Sequence, residues 1–93
     1  MIAGPGFWDL EIARAGWSRV LSPGLADFPE IAGRGTAWGR NCYVRGGERL
    51  VIEWSDQVTM SAALLNGRLC PVLSADTLSA AIGADGPGRP RWP

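Results

Sequence analysis

Histidine and lysine are both missing from this 93-residue chain. Without imidazole, neither a Ser–His nor a Cys–His nucleophile pair can be assembled, and histidine-ligated metal sites are excluded as well. Without lysine there is no GxxxxGK[ST] phosphate loop. A catalytic base would have to be Asp or Glu. Cysteine is scarce: Cys42 and Cys70 stand alone with no CxxC spacing, which provides neither a disulfide framework nor a thiolate zinc site. No apolar run approaches the ~20 residues that a membrane span requires. The opening "MIAGPGFWDL" lacks the basic start and apolar core of a secretory leader. The expectation is a soluble, cytoplasmic protein with no cofactor and no metal.

What remains is globular in character, at 46% hydrophobic and 19% charged residues. The length suits one domain with one modest core. Nine basic and nine acidic groups give zero net charge, whereas a general nucleic-acid coat needs positive excess. Every basic residue is Arg, and with 13 Gly and 7 Pro this bias fits a GC-rich bacterial or phage genome.

Along the chain, Phe7, Leu10, Ala13, Trp17, Val20 and Leu21 fall on one stripe of a helical wheel, which predicts a helix over about 7–21. Trp8 and Ile12 lie off that stripe, and Gly16 inside it costs about 1 kcal/mol relative to Ala. The competing reading is two short strands turning at "ARAG". "SPG" at 22–24 ends the element, and 25–39 follows as a long connection rich in Gly, of the kind that is often functional. Then "RNCYVRGGERLVIEW" places two β-rich runs around Gly46-Gly47. A tight turn there opposes Arg45 to Glu48, Tyr43 to Leu50 and Arg40 to Glu53. Tyr43, Leu50, Ile52 and Trp54 then share a core face, with Arg40, Cys42, Arg49 and Glu53 on the other.

"VTMSAALLNG" reads as a helix capped by Gly67 or as a strand turning at Asn66-Gly67. The strand accounts for both sides of the turn, because Asn-Gly is the preferred type I′ pair. It groups Val58, Met60, Ala62 and Leu64 with Leu69 and Leu73, and Pro71 marks an edge strand. Ser74 as N-cap, Asp76 in the first turn and a Leu73–Leu78 staple predict a closing helix. The expected fold class is therefore α+β: a four-stranded antiparallel meander (about 37–45, 48–54, 58–65, 68–73), an N-terminal helix (about 7–21) and a short closing helix (about 75–82). Residues 1–83 form the domain, and 84–93 a Gly/Pro-rich tail with two PxxP spacings.

Little in this inventory carries chemistry. Glu53 with Asp56, or Asp9 with Glu11, are the carboxylate pairs available for acid–base work, but a cross-strand Arg40–Glu53 ion pair and a polar turn at 55–57 explain the first pair more simply. "GRGTAWG" has the glycines of a phosphate loop without its strand–loop–helix setting. In a flat meander Cys42 and Cys70 share the face away from the core, about 14 Å apart, beyond the roughly 7 Å that a disulfide spans. Five tryptophans are the unusual feature. Trp17 and Trp54 suit a core, while Trp38 sits between Arg34 and Arg40 among glycines; it reads either as a cover for one end of the small core, the simpler expectation, or as a recognition residue, since Trp and Arg are favoured at interface hot spots.

The expected function is a small, non-enzymatic protein-binding module of inhibitor, immunity or adaptor type; phage-encoded inhibitors of host defence, anti-CRISPR proteins among them, are of this kind. The candidate binding residues are Arg34, Trp38, Arg40, Arg45 and Arg49, facing a protein partner. Two alternatives are a nucleic-acid-binding domain using the Arg and Trp residues of 33–49, and a small ligand-binding or carboxylate-based enzyme domain using Glu53 and Asp56.

Overall fold

A computed structural model describes residues 3–83 and shows an antiparallel sheet with two helices, an α+β fold. The sheet grows from its hairpins. Strands β2 (Gly39–Arg45) and β3 (Glu48–Trp54) pair in the expected register around Gly46-Gly47, with Gly46 at φ 58°, where a side chain would be strained. Strands β4 (Met60–Leu65) and β5 (Arg68–Leu69) turn at Asn66 (φ 53°) and Gly67 (φ 83°), the two positive φ values of a type I′ turn. The side chain of Asn66 also accepts the Arg49 amide at 2.9 Å, fastening this turn to β3.

Helix α1 (Pro5–Arg14) and helix α2 (Ala75–Gly83) cover one face of the sheet. Trp8, Ile12 and Trp17 meet Leu78, Ala81 and Ile82 over Tyr43, Leu50, Ile52, Trp54 and Leu65. The expected core face is thus confirmed, and α2 starts as its sequence indicates. Ser74 Oγ accepts the Thr77 amide and Thr77 Oγ1 accepts the Ser74 amide, at 3.1 and 3.0 Å. This is a capping box with Thr in the place of Glu. The opposite face is covered by the long connection 21–38, whose Phe28 and Ile31 pack on Cys42, Val51 and Leu64. A sheet expected to bury one face therefore buries both.

Four details differ from the sequence reading. First, the sheet has five strands, in the order β1-β2-β3-β4-β5, because Ser18–Val20 form β1 and pair with β2. The N-terminal helix ends at Arg14. The Gly16 amide donates to Ala13 and the Trp17 amide to Ile12, at 3.0 and 3.2 Å, with Gly16 at φ 94°. This is a Schellman stop, so Gly16 terminates the helix instead of weakening its interior. With 17–21 off the wheel, Trp8 and Ile12 face the core, and Phe7 and Leu10 are half exposed.

Second, β4 starts at Met60, leaving Val58 exposed in the connection. Third, Trp54 opposes Met60 while Glu53 opposes Ala62, so Ser61 is a bulged residue. The bulge shifts the alternation, placing Met60, Ala63 and Leu65 under the helices and Ala62 and Leu64 on the other side. Fourth, β5 is only two residues long before Pro71 removes a donor, although the Cys70 amide still reaches Ala63 at 2.8 Å. Cys42 and Cys70 are free and buried under different covers, Cys42 beneath the connection and Cys70 among the helix-side residues. The shared face expected for them does not exist. The tail 84–93 lies outside the described residues.

Candidate functional site

The segment 34–40, which carries three of the five candidate residues, is anchored at both ends to one carboxylate. Glu53 projects from β3 onto the face covered by the connection and is 5% exposed. A carboxylate in that position is tolerable only if it is paired. Arg34 meets it with two hydrogen bonds, Nη2 to Oε1 at 2.7 Å and Nε to Oε2 at 3.2 Å. Arg40, directly opposite on β2, adds Nε to Oε2 at 2.9 Å. The Arg34 guanidinium, with Arg40 beside it, holds the Glu53 carboxyl below the usual glutamate range against the opposing effect of burial. Arg40 Nη2 also donates to the Gly35 carbonyl at 2.9 Å, closing 35–40 into a short loop, with Gly35 at φ 75° making the bend.

Trp38 stands on that loop and is 60% exposed. Fixed ends and an exposed indole give a large, amphipathic contact group on a backbone that is already ordered. The loop leads into Gly39, opposite Trp54, so Trp38 lies at the end of the sheet where β3 runs into the 55–59 connection. That connection is held by Asp56, whose Oδ1 accepts the Val58 and Thr59 amides at 2.8 and 2.7 Å. These bonds keep its carboxyl below the usual range. Val58 is exposed on the same connection, and the start of α1 approaches it, with Gly4 beside the Gln57 carbonyl.

The two remaining candidates are elsewhere. Arg49 pairs with Glu30 of the connection, Nε to Oε2 at 3.0 Å. Arg45 points to the helix side and lies 4.4 Å over the Trp17 ring. Its Nη1 donates to the Ala15 and Ile82 carbonyls at 2.9 and 2.8 Å, taking up backbone acceptors at the C-terminal ends of both helices. The structure thus gathers Arg34, Trp38 and Arg40 and leaves Arg45 and Arg49 outside the group. Glu53 is the residue that organises the group, and the sequence reading saw only half of its pairing. The Arg40 contact follows from register. The Arg34 contact depends on the path of the connection, for which the sequence holds no local signal.

The carboxylates of the catalytic alternative are both engaged. Both Glu53 oxygens and Asp56 Oδ1 accept from guanidinium and amide donors that favour the ionised form, the opposite of the raised pKa that a general acid needs. Among the described residues no three Cys, Asp or Glu side chains group as metal ligands. A half-open cavity of about 390 Å³ lies at the other end of the sheet, beside the Gly46-Gly47 turn, between Val20, Phe28 and Val44 with Asp27 and Glu48 at its rim. It is remote from the 34–40 loop along the strands. No described helix is long and apolar enough to cross a membrane. No family model matches the chain, and no curated protein or solved structure is significantly similar to it.

Proposed function

We propose that this chain is a non-enzymatic protein-binding module of inhibitor or adaptor type, acting in the cytoplasm through a surface centred on Trp38. The observation that carries this reading is a 60%-exposed tryptophan on a loop whose two flanking arginines are both fastened to a buried carboxylate. Ordering such a loop in advance removes part of the entropic cost of binding. Exposed Trp is among the residue types that supply most of the energy at protein interfaces. In this reading Arg34 and Arg40 act first as scaffolding for Trp38, a role that differs from the direct contact expected of them.

The nucleic-acid alternative is supported less well. A groove that tracks a phosphate backbone needs several unneutralised cations in line. Among the described residues every arginine except Arg68 has a carboxylate partner. The test is capture from source-cell lysate on immobilised chain and on its Trp38→Ala variant, followed by titration of the retained protein. A partner held by the parent and weakened about 30-fold by Trp38→Ala, roughly 2 kcal/mol, supports the module. A partner retained equally by both removes Trp38 from the interface, and retention of an oligonucleotide in place of protein favours the alternative.

A further inference from the structure

The charge around Glu53 does not balance. Two guanidinium groups share one carboxylate, so the cluster carries one unneutralised positive charge where the ends of the Trp38 loop are anchored. Among the described residues the pairs Arg49–Glu30 and Arg14–Glu11 are matched one to one. The excess is also available atom by atom. Arg34 spends Nε and Nη2 on Glu53, and Arg40 spends Nε and Nη2 on Glu53 and the Gly35 carbonyl. Neither Nη1 has a hydrogen-bond acceptor among the described residues. Both side chains reach solvent, at 29% and 20% exposure.

We propose that this loop recognises an acidic protein segment: one Asp or Glu carboxylate seats against the free Nη1 donors of Arg34 and Arg40, and a neighbouring apolar side chain packs on the Trp38 indole. The inference rests on the protein-binding reading above and names the chemistry of the partner. A guanidinium already oriented by one carboxylate presents its remaining N–H groups in a fixed plane, which suits a second carboxylate better than a flexible ammonium would. A single excess charge flanked by neutralised arginines fits one carboxylate rather than a run of phosphates. The exposed Trp38 indole on the same short loop supplies the apolar half of the contact.

The experiment is selection of a random peptide library displayed on phage against the full chain, with Trp38→Ala as the counter-target, followed by NMR titration of one selected peptide. The proposal expects the selected peptides to place Asp or Glu next to a Leu, Ile, Val or aromatic residue. It expects the chosen peptide to shift the Trp38 indole and the Arg34 and Arg40 Nε–H signals together, and its Asn/Gln analogue to bind at least about tenfold more weakly. Added salt should weaken the acidic peptide and leave the analogue nearly unchanged. Peptides that depend on Trp38 but carry no acidic bias, or an analogue that binds equally well, overturn the carboxylate while leaving the protein-binding reading standing. The absence of any Trp38-dependent peptide overturns both. Displacement of the peptide by a thymidine oligonucleotide at lower concentration than the peptide itself would assign the loop to nucleic acid. Trp38→Ala leaves the ion pairs in place, so its effect is read on a folded protein.

Discussion

Replacing Arg34 by alanine tests whether the 34–40 loop is held by its ion pairs. Breaking a fully buried pair costs about 3–5 kcal/mol, because a charge is left unpaired. Two features reduce that figure here. Arg34 is 29% exposed, so solvent screens part of its interaction. Glu53 also keeps Arg40 at 2.8 Å after the change and is never orphaned. The loss is therefore set by two charge-assisted hydrogen bonds, partly screened, or about 1–2 kcal/mol. For a chain this short that corresponds to a fall in melting temperature of roughly 4–16 °C. Thermal melts and urea titrations of Arg34→Ala, Glu53→Gln and the double variant would measure it. The cycle should return a coupling of about 1 kcal/mol or more between the two sites. Trp38→Ala serves as the control and should stay within about 0.5 kcal/mol of the parent. An Arg34→Ala melt that matches the parent, with no coupling in the cycle, would show that the pair does not hold the loop, and the scaffolding argument would fail with it.

The pH dependence follows from the same carboxylate. An unfolded chain takes up the Glu53 proton near pH 4.3, whereas the folded chain holds it ionised to lower pH. In that window the unfolded state binds more protons, so stability is complete above it and declines as pH falls through it. Urea midpoints from pH 7 to 3 should show a shallower decline in Glu53→Gln than in the parent, and identical slopes would count against the pairing. Gly16→Ala forces a side chain into φ 94° at the helix stop and should cost about 1–2 kcal/mol by urea titration; a neutral result would mean that the Schellman stop is not formed in solution. Trp54→Ala should cost about 3–5 kcal/mol, since Trp54 is almost wholly buried. Trp54→Phe should cost much less, because it removes an indole N–H that has no acceptor among the described residues, and equal losses in the two variants would contradict that account.

The parts of the fold that are legible in the sequence are those with local causes. Gly46-Gly47 and Asn66-Gly67 demand positive φ within two residues, so the turns and the β2–β3 register can be read directly, and the Arg40–Glu53 contact comes with the register. The Ser74 cap and the Leu73–Leu78 staple are equally local. What fails is phase and path. One extra residue at Ser61 puts Met60 and Leu64, expected on one face, on opposite faces, and a bulge leaves no compositional mark there. The wheel through 7–21 assumes one continuous helix, and Gly16 carries the opposite message only when it is read as a stop. The connection 21–38 looks like a loop because of its Pro and Gly content. Its Phe28, Glu30, Ile31 and Arg34 nevertheless make it the second cover of the sheet, through contacts that span many residues and depend on where the chain happens to run. The candidate site shares this division: the Arg40–Glu53 pair is legible from the register, whereas the Arg34–Glu53 pair and the exposure of Trp38 depend on the path of the connection.

The placement of the two free thiols gives the molecule a built-in reporter for each cover. Cys42 lies under the 21–38 connection and Cys70 under the helical layer, and both are buried. A thiol reagent can reach each only when its own cover lifts, so labelling rates in native buffer measure two separate opening equilibria in one untagged protein. The connection has no long helix or strand of its own and is fastened by ion pairs and a small apolar cluster. Its opening should therefore be the more frequent and the more sensitive to salt. A partner that clamps Trp38 would slow modification of Cys42 and leave Cys70 unchanged, so occupancy of an exposed loop could be read from the chemistry of a sulfur buried on the strand next to it.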